Sequence, residues 1–280
     1  SGADIAFGNL ECPLAEKGKR AIKPYSFKAR PSAAQCLVKA GFDVVSLANN
    51  HAMDCGRTGL VETMERLQLK GIRWCGAGSA RPAAEGPTVI ETEGTRVAFV
   101  AFCDFLPEST FLRADKPTIA FASEPTVRAA VAAARDRGDF VVASFHWGVE
   151  YGRHPTGRQK ELARAAAEAG ADLVIGHHPH VLQGIEVSGG VPPDRTGASG
   201  SPATPPSARA AQGGRPRPTL VAYSLGNFVF DSRLRRTLES VILRCRFSRQ
   251  GLQSASLLPI TIVQYRPEIA RGDKARTILR

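Results

Sequence analysis

Four stretches of the chain run apolar and then stop on polar residues of one kind: DVVSLANNH (43 to 51), FVVASFHWG (140 to 148), ADLVIGHHPH (171 to 180) and TLVAYSLGN (219 to 227). Short runs rich in Val, Leu and Ala, each following a helix-like or loop segment, are the pattern of internal strands in a sheet covered on both faces. Strands of that kind end at a common edge, and in open α/β sheets that edge is where ligands bind. Here it would carry Asn50, His51, His146, His178, His180 and Asn227, whereas His154 sits in a polar loop. Imidazole, amide and carboxylate donors gathered in this way suit a divalent transition metal.

The rest of the chain repeats strand and helix. ADIAF (3 to 7) reads as a strand leading into GNLECP. PSAAQCLVKAG (31 to 41) reads as a helix with Pro31 early and Gly41 as its stop. TGLVETMERLQLKG (58 to 71) has helical spacing, and RVAFVAF (96 to 102) is strand-like. SEPTVRAAVAAARDRG (123 to 138) and TGRQKELARAAAEAG (156 to 170) are Ala-rich helices with Ser123 and Thr156 as N-caps. Such alternation implies an α/β fold with sheets sandwiched by helices. AGFDVVSLANNH (40 to 51) and AGADLVIGHHPH (169 to 180) align without gaps, which implies two half-sites of similar build facing one cavity. Helix-stop glycines account for the first half of that echo but not for the terminal His51 and His180.

At 280 residues one domain is the default. No apolar run reaches the roughly 18 to 20 residues that cross a bilayer, and any leader or anchor is expected upstream of Ser1. The formal charge of +11 raises the question of a polyanion, but it is unevenly placed. Residues 1 to 187 hold 22 Lys or Arg against 21 Asp or Glu, and residues 188 to 280 hold 15 against 5. The surplus lies in a Pro-rich insert and in RLRR and RCRFSR, with no interleaved aromatics, so it reads as solvated surface and points to no specific nucleic acid. A basic rim that draws in an anionic substrate is compatible with it. The insert, residues 188 to 218, is rich in Pro, Gly, Ser, Ala and Arg and is expected to be a mobile loop tolerated between motifs. The six cysteines form no CxxC pair and read as small apolar residues, with Cys12 and Cys55 close behind motif residues.

Five blocks together carry a resemblance: GNLECPL (8 to 14), LANNHAMDCG (47 to 56), HWGVEY (146 to 151), GHHPHVLQ (176 to 183) and SLGNFVFD (224 to 231). Their order resembles that of the bacterial capsule-biosynthesis CapA family, associated with poly-gamma-glutamate synthesis. The resemblance implies the calcineurin-like metallophosphoesterase fold, a β-sandwich flanked by helices, whose first, Asp-bearing strand is expected upstream of this chain. It also implies two divalent ions, manganese, iron or zinc, roughly 3.5 to 4 Å apart. On this resemblance Glu11, Asn50, His146, His178 and His180 are metal ligands, and His51 is the general acid or transition-state donor. Asn9, Glu150, His177 and Asn227 orient ligands or touch substrate. The HxH spacing of His178 and His180 would place alternate residues of an extended segment on one face.

Two functions follow. One is a metal-dependent hydrolase of the phosphoesterase type acting on a phosphoester or an anionic polymer. The other is a non-catalytic accessory protein that binds or guides an anionic capsule polymer at the bacterial cell envelope, with a membrane synthesis complex as its partner.

Overall fold

The computed structural model of the chain describes residues 2–105, 114–188, 218–232, 234–248 and 251–280. Residues 189–217, all but the two ends of the expected mobile insert, lie outside the described residues. The α/β class and the helix-flanked sheets expected from the sequence are what the chain forms. Its backbone gathers into two compact units, Ser1–His146 and Trp147–Arg280. Composition shows no break at residue 146, because the first unit ends inside one of the apolar runs that set the strand pattern.

The first unit runs β1 (Phe7–Asn9), α1 (Ala34–Ala40), β2 (Val44–Ser46), α2 (Gly56–Leu69), β3 (Arg73–Cys75), β4 (Ala77–Gly78) and α3 (Arg81–Glu85). It continues with β5 (Thr88–Thr92), β6 (Thr95–Cys103), β7 (Thr118–Ile119), α4 (Glu124–Arg135) and β8 (Phe140–His146). Strands β1, β2 and β3 pair in parallel, β6 pairs antiparallel with β5 and parallel with β8, and β4 forms a short ribbon with β7. The two larger groups face each other: β3 lies against β5 and β6, and Phe7 stacks on Phe99 with ring centroids 5.6 Å apart. Every residue of β2 and β8 is buried, as continuous apolar runs require. Helix α4 packs on β6 and β8 and begins where Ser123 accepts a hydrogen bond from the Thr126 N–H at 3.2 Å.

The first strand lies later than the sequence implied. Ala6, inside the expected strand, donates its N–H to the Asp43 carboxylate at 2.7 Å, and ladder pairing begins only at Phe7. A side-chain acceptor has taken the donor that a strand partner would have used. Helix α1 opens with a turn of 3-10 helix at Pro31–Ala33 and ends on Gly41 at φ 79°, a left-handed stop that glycine adopts without strain.

The second unit runs α5 (Gly157–Glu168), β9 (Leu173–His177), β10 (Ile185–Ser188), β11 (Thr219–Ala222), β12 (Glu239–Ser248), β13 (Gly251–Val263), β14 (Arg266–Ile269) and α6 (Gly272–Ile278). Strand β11 pairs parallel with β9 and antiparallel with β10, and β12 to β14 form an antiparallel meander. Thr156 and Gln159 close a capping box at the start of α5. The glycine before the histidine block is a packing requirement: a Cβ on Gly176 would lie 2.0 Å from the Tyr223 carbonyl oxygen and 2.3 Å from the Trp147 indole nitrogen. Arg244 and Arg246, read from sequence as solvated surface, are carried on β12.

Between β1 and α1 the chain makes a long excursion without regular structure, and buried groups of α2 hold its base. Leu14 N–H donates to Thr63 Oγ1 at 2.9 Å. Glu16 and Lys17 donate their N–H groups to the Glu62 carboxylate at 3.1 and 2.9 Å. The Lys17 bond is the leading reason that the Glu62 carboxyl sits below its ordinary value of 4.5; burial opposes it, and Glu16 and Arg66 add to it. A depressed carboxylate stabilises the fold above its unfolded pKa, and that stabilisation is lost as pH falls through the folded value. Glu62→Gln is therefore expected to unfold more easily than the wild type at neutral pH. In thermal unfolding followed by circular dichroism, the gap should narrow as pH drops below about 4.5; a gap independent of pH would rule out this role.

Candidate metal centres and their neighbours

In the first unit, the parallel pairing of β1 and β2 brings the loops that follow them together, with Leu10 N–H donating to the Ser46 carbonyl at 3.0 Å. Glu11 lies in the first loop and Asn50 in the second, while His146 is the last residue of β8. Their donor atoms meet: His146 Nε2 is 2.9 Å from Asn50 Oδ1 and 3.4 Å from Glu11 Oε1. His146 is 1% exposed, and the Glu11 Oε1 atom is shielded from water. Asn9 donates its side-chain N–H to the other Glu11 oxygen at 3.0 Å, which leaves Oε1 turned toward His146.

Asn49, which sequence reasoning passed over in favour of its neighbour, organises this cluster. It is fully buried and donates to Asn9 Oδ1 at 3.1 Å and to the Leu10 carbonyl at 2.9 Å. Its own oxygen accepts the His51 N–H at 3.1 Å. One amide thereby ties the Glu11 loop to the Asn50 loop. The signal was present as two successive asparagines, but nothing in the pattern says which of them turns inward.

His51 is buried beside the Phe27 ring, with centroids 4.2 Å apart, and its Nδ1 lies 2.8 Å from Asp54 Oδ2. Asp54 is 1% exposed and also pairs with Lys23 Nζ at 2.6 Å and accepts the Phe27 N–H at 2.6 Å. Burial alone would raise the Asp54 pKa, but the hydrogen bonds from His51, Lys23 and Phe27 outweigh it and hold the carboxyl below its ordinary range. An ionised Asp54 accepts from Nδ1–H, so the other His51 nitrogen, Nε2, is left for chemistry elsewhere. The HxxD spacing in LANNHAMDCG was a readable clue to Asp54; Lys23 carried none, because it arrives from an aperiodic loop.

The second unit gathers Glu150, His178 and His180, whose ligand atoms all lie within 4.8 Å of one another. Asn227 fixes one of these rings. Its side-chain N–H donates to the Thr237 carbonyl at 3.0 Å, so its oxygen faces His180 Nδ1 at 2.8 Å. His180 then carries its proton on Nδ1 and presents Nε2 as a lone-pair donor. Glu150 is exposed and the two histidines are buried.

The extended HxH segment expected from the sequence is corrected here. His178 and His180 have φ of 97° and 59°, so both leave the extended region, and their rings stand 5.9 Å apart and tilted by 50°. They come together through two left-handed residues, not through strand alternation. Positive φ in a non-glycine residue costs roughly 1 to 3 kcal/mol and persists where surrounding structure imposes it. His177 closes β9 and belongs to neither ligand group; burial of its ring pushes its pKa down to about 4. Cys12 and Cys55 belong to neither ligand group, and burial, chiefly, raises the pKa of both, Cys12 to about 11 with Glu11 adding to the effect.

Both donor sets fit a divalent ion. Each combines imidazole nitrogen with oxygen donors, the mixed chemistry that first-row metals accept. The first sets Glu11 Oε1, itself shielded from water, and Asn50 Oδ1 within 3.4 Å of His146 Nε2.

Residues 1–232 match the model of the family described as "Bacterial capsule synthesis protein PGA_cap". The chain belongs to that family. It is 30% identical over 283 residues to the PGA biosynthesis protein CapA of Bacillus subtilis, covering 99% of this chain and 67% of that protein. To the capsule biosynthesis protein CapA of Bacillus anthracis it is 29% identical over 274 residues, covering 95% of this chain and 60% of that protein. The chain thus spans about two thirds or less of the length of these relatives. Among solved structures it is similar to the Haemophilus influenzae NAD nucleotidase, with a TM-score of 0.46 at 13% identity over 89% of this chain and 47% of that one.

The strain at the histidine block separates structure from chemistry. His178→Ala and His178→Gly both remove the imidazole, but only glycine adopts φ 97° freely. His178→Gly is expected to be the more stable of the two by about 1 kcal/mol in urea unfolding. Equal stability would mean that residue 178 is not strained.

Proposed function

We propose that this chain is a metal-dependent hydrolase of the phosphoesterase type that serves capsule polymer synthesis and takes an anionic substrate. The observation that carries the proposal is the approach of Glu11 Oε1 and Asn50 Oδ1 to the buried His146 Nε2 at 3.4 and 2.9 Å. Glu11, Asn50 and His146 would hold one divalent ion, and Glu150, His178 and His180 another. Bound divalent ions would supply Lewis acidity and lower the pKa of water from about 15.7 to about 7.

The chain's own residues have separable tasks in this reading. Asn9 and Asn49 orient the Glu11 carboxylate and the loop that carries Asn50. Asn227 sets the tautomer of His180. Asp54 holds His51 through Nδ1, so that a proton at Nε2 can be given to a leaving oxygen. His177, desolvated at the end of β9, takes a structural part.

Plasma mass spectrometry on protein purified without chelator and reconstituted with manganese, iron or zinc tests the reading. About two ions per chain are expected, with His146→Ala losing one and His180→Ala the other, and chelation should abolish hydrolysis of a phosphoester probe. Turnover that survives full chelation would defeat the hydrolase proposal.

A second reading is a polymer-guiding accessory role without turnover. The basic residues of the excursion between β1 and α1 favour it. It predicts salt-sensitive binding of polyglutamate by metal-free protein.

A further inference from the structure

In the first unit a groove of about 500 Å³ is lined by Ala15, Glu16, Arg20, Lys28, Ala29 and Arg30. Three of the six are cations and one is an acid. We infer that this groove is a docking site for a polycarboxylate chain, distinct from the ligand set of Glu11, Asn50 and His146. The identity of the polymer rests on the second reading above and not on the metal.

A basic loop is most often only a solvated surface. This one is held too firmly for that account to suffice. At its base, Ala15 and Ala29 are joined by the Ala15 N–H bond to the Ala29 carbonyl at 3.1 Å, and Ala29 N–H donates to Pro13 at 2.9 Å. The Glu62 carboxylate binds the next two amides, of Glu16 and Lys17. At its first turn Gly18 has φ 84° and sits so close to Cys55 that a Cβ would lie 2.1 Å from the Cys55 carbonyl oxygen. Further out, Ala21 N–H donates to the Asp54 carbonyl at 2.7 Å, and Phe27 N–H and Lys23 Nζ reach the Asp54 carboxylate. Lys28 Nζ crosses the excursion to the Glu16 carbonyl at 2.7 Å. A segment with no helix or strand of its own is thus fixed along most of its length, while Arg20 and Arg30 stay exposed. A backbone already positioned loses less entropy on binding, which is what a recognition surface needs.

The chemistry of the groove suits a chain of anionic groups. Guanidinium groups bind carboxylates through paired N–H donors, and a lysine adds a point charge. Cations spread over one groove call for several anionic groups in succession, which a polymer with one carboxylate per unit supplies. Single-stranded nucleic acid relies on aromatic rings under its bases, and the lining contains none. The cationic field reaches inward as well: Lys28 and Arg20 both favour the thiolate of buried Cys55, although burial prevails there. Because Ala21, Lys23 and Phe27 all end on Asp54, the groove belongs to the same piece of chain that holds the His51 partner.

The test is fluorescence anisotropy with a labelled glutamate decamer at low salt, on wild type and on the pair Arg20→Ser with Arg30→Ser. Both residues are exposed, so unfolding temperature and metal content should not change. The Ser pair should bind the decamer about tenfold more weakly or worse. The pair Arg20→Lys with Arg30→Lys should fall between wild type and the Ser pair, because the charges remain and the paired N–H donors are lost, and added salt should weaken the wild type. No wild-type binding, or equal binding by the Ser pair, would overturn the proposal. Tighter binding of a labelled oligothymidine through the same arginines would overturn the ligand class. Decamer binding by a protein that takes up no metal would remove the hydrolase reading and leave the groove standing.

Discussion

A carboxylate that is 1% exposed must be paired, and Asp54 meets that demand by drawing three groups from two parts of the first unit onto itself. It takes Nδ1 of His51 from its own loop, and Lys23 Nζ and the Phe27 N–H from the excursion between β1 and α1. Its backbone carbonyl takes Ala21 as well. The tautomer of His51, the course of the basic segment and the low pKa of Asp54 itself all follow from this one buried charge. Removing any one partner would leave the others to satisfy a desolvated anion, so the histidine and the basic loop are coupled in stability even where they differ in task.

The two donor sets are assembled by different means. The set of Glu11, Asn50 and His146 depends on register: parallel pairing aligns the ends of β1 and β2, and Asn49 locks the two following loops together. The set of Glu150, His178 and His180 depends on backbone strain, with two left-handed histidines held by their surroundings and Asn227 steering one ring. A register-built site is repeated wherever the sheet forms. A strain-built site stores energy that neighbouring packing must supply, and Gly176, pressed against Tyr223 and Trp147, is part of that packing.

Much of the framework could be read directly. Ser123 and Thr156 cap their helices as their positions in the sequence imply, and Gly41 stops α1. These are local signals that need no distant partner. The start of β1 was misplaced because Asp43, far along the chain, captures the Ala6 amide. The meander of β12 to β14 was not anticipated, because charged residues such as Arg244 and Arg246 hide an alternation whose buried face is short. Of the candidate site, the strand-end histidines stood out by type and placement, and Glu11 came only through the resemblance of its block. Asn49 and Lys23 did not, since an amide or a lysine in a loop looks the same whether it faces water or a buried carboxylate.

The sequence by itself determined which residue types stand at the strand ends and where helices start and stop, because residue type and capping act over a few positions. It also carried the echo between residues 40–51 and 169–180, in which Gly41 and Gly170 both adopt positive φ as helix stops. Tertiary structure decided what each copy of that echo became. In one, an asparagine bridges two loops; in the other, the aligned residue is a strained histidine. That choice lies in the φ angles and long-range hydrogen bonds imposed by packing, which residue order does not record.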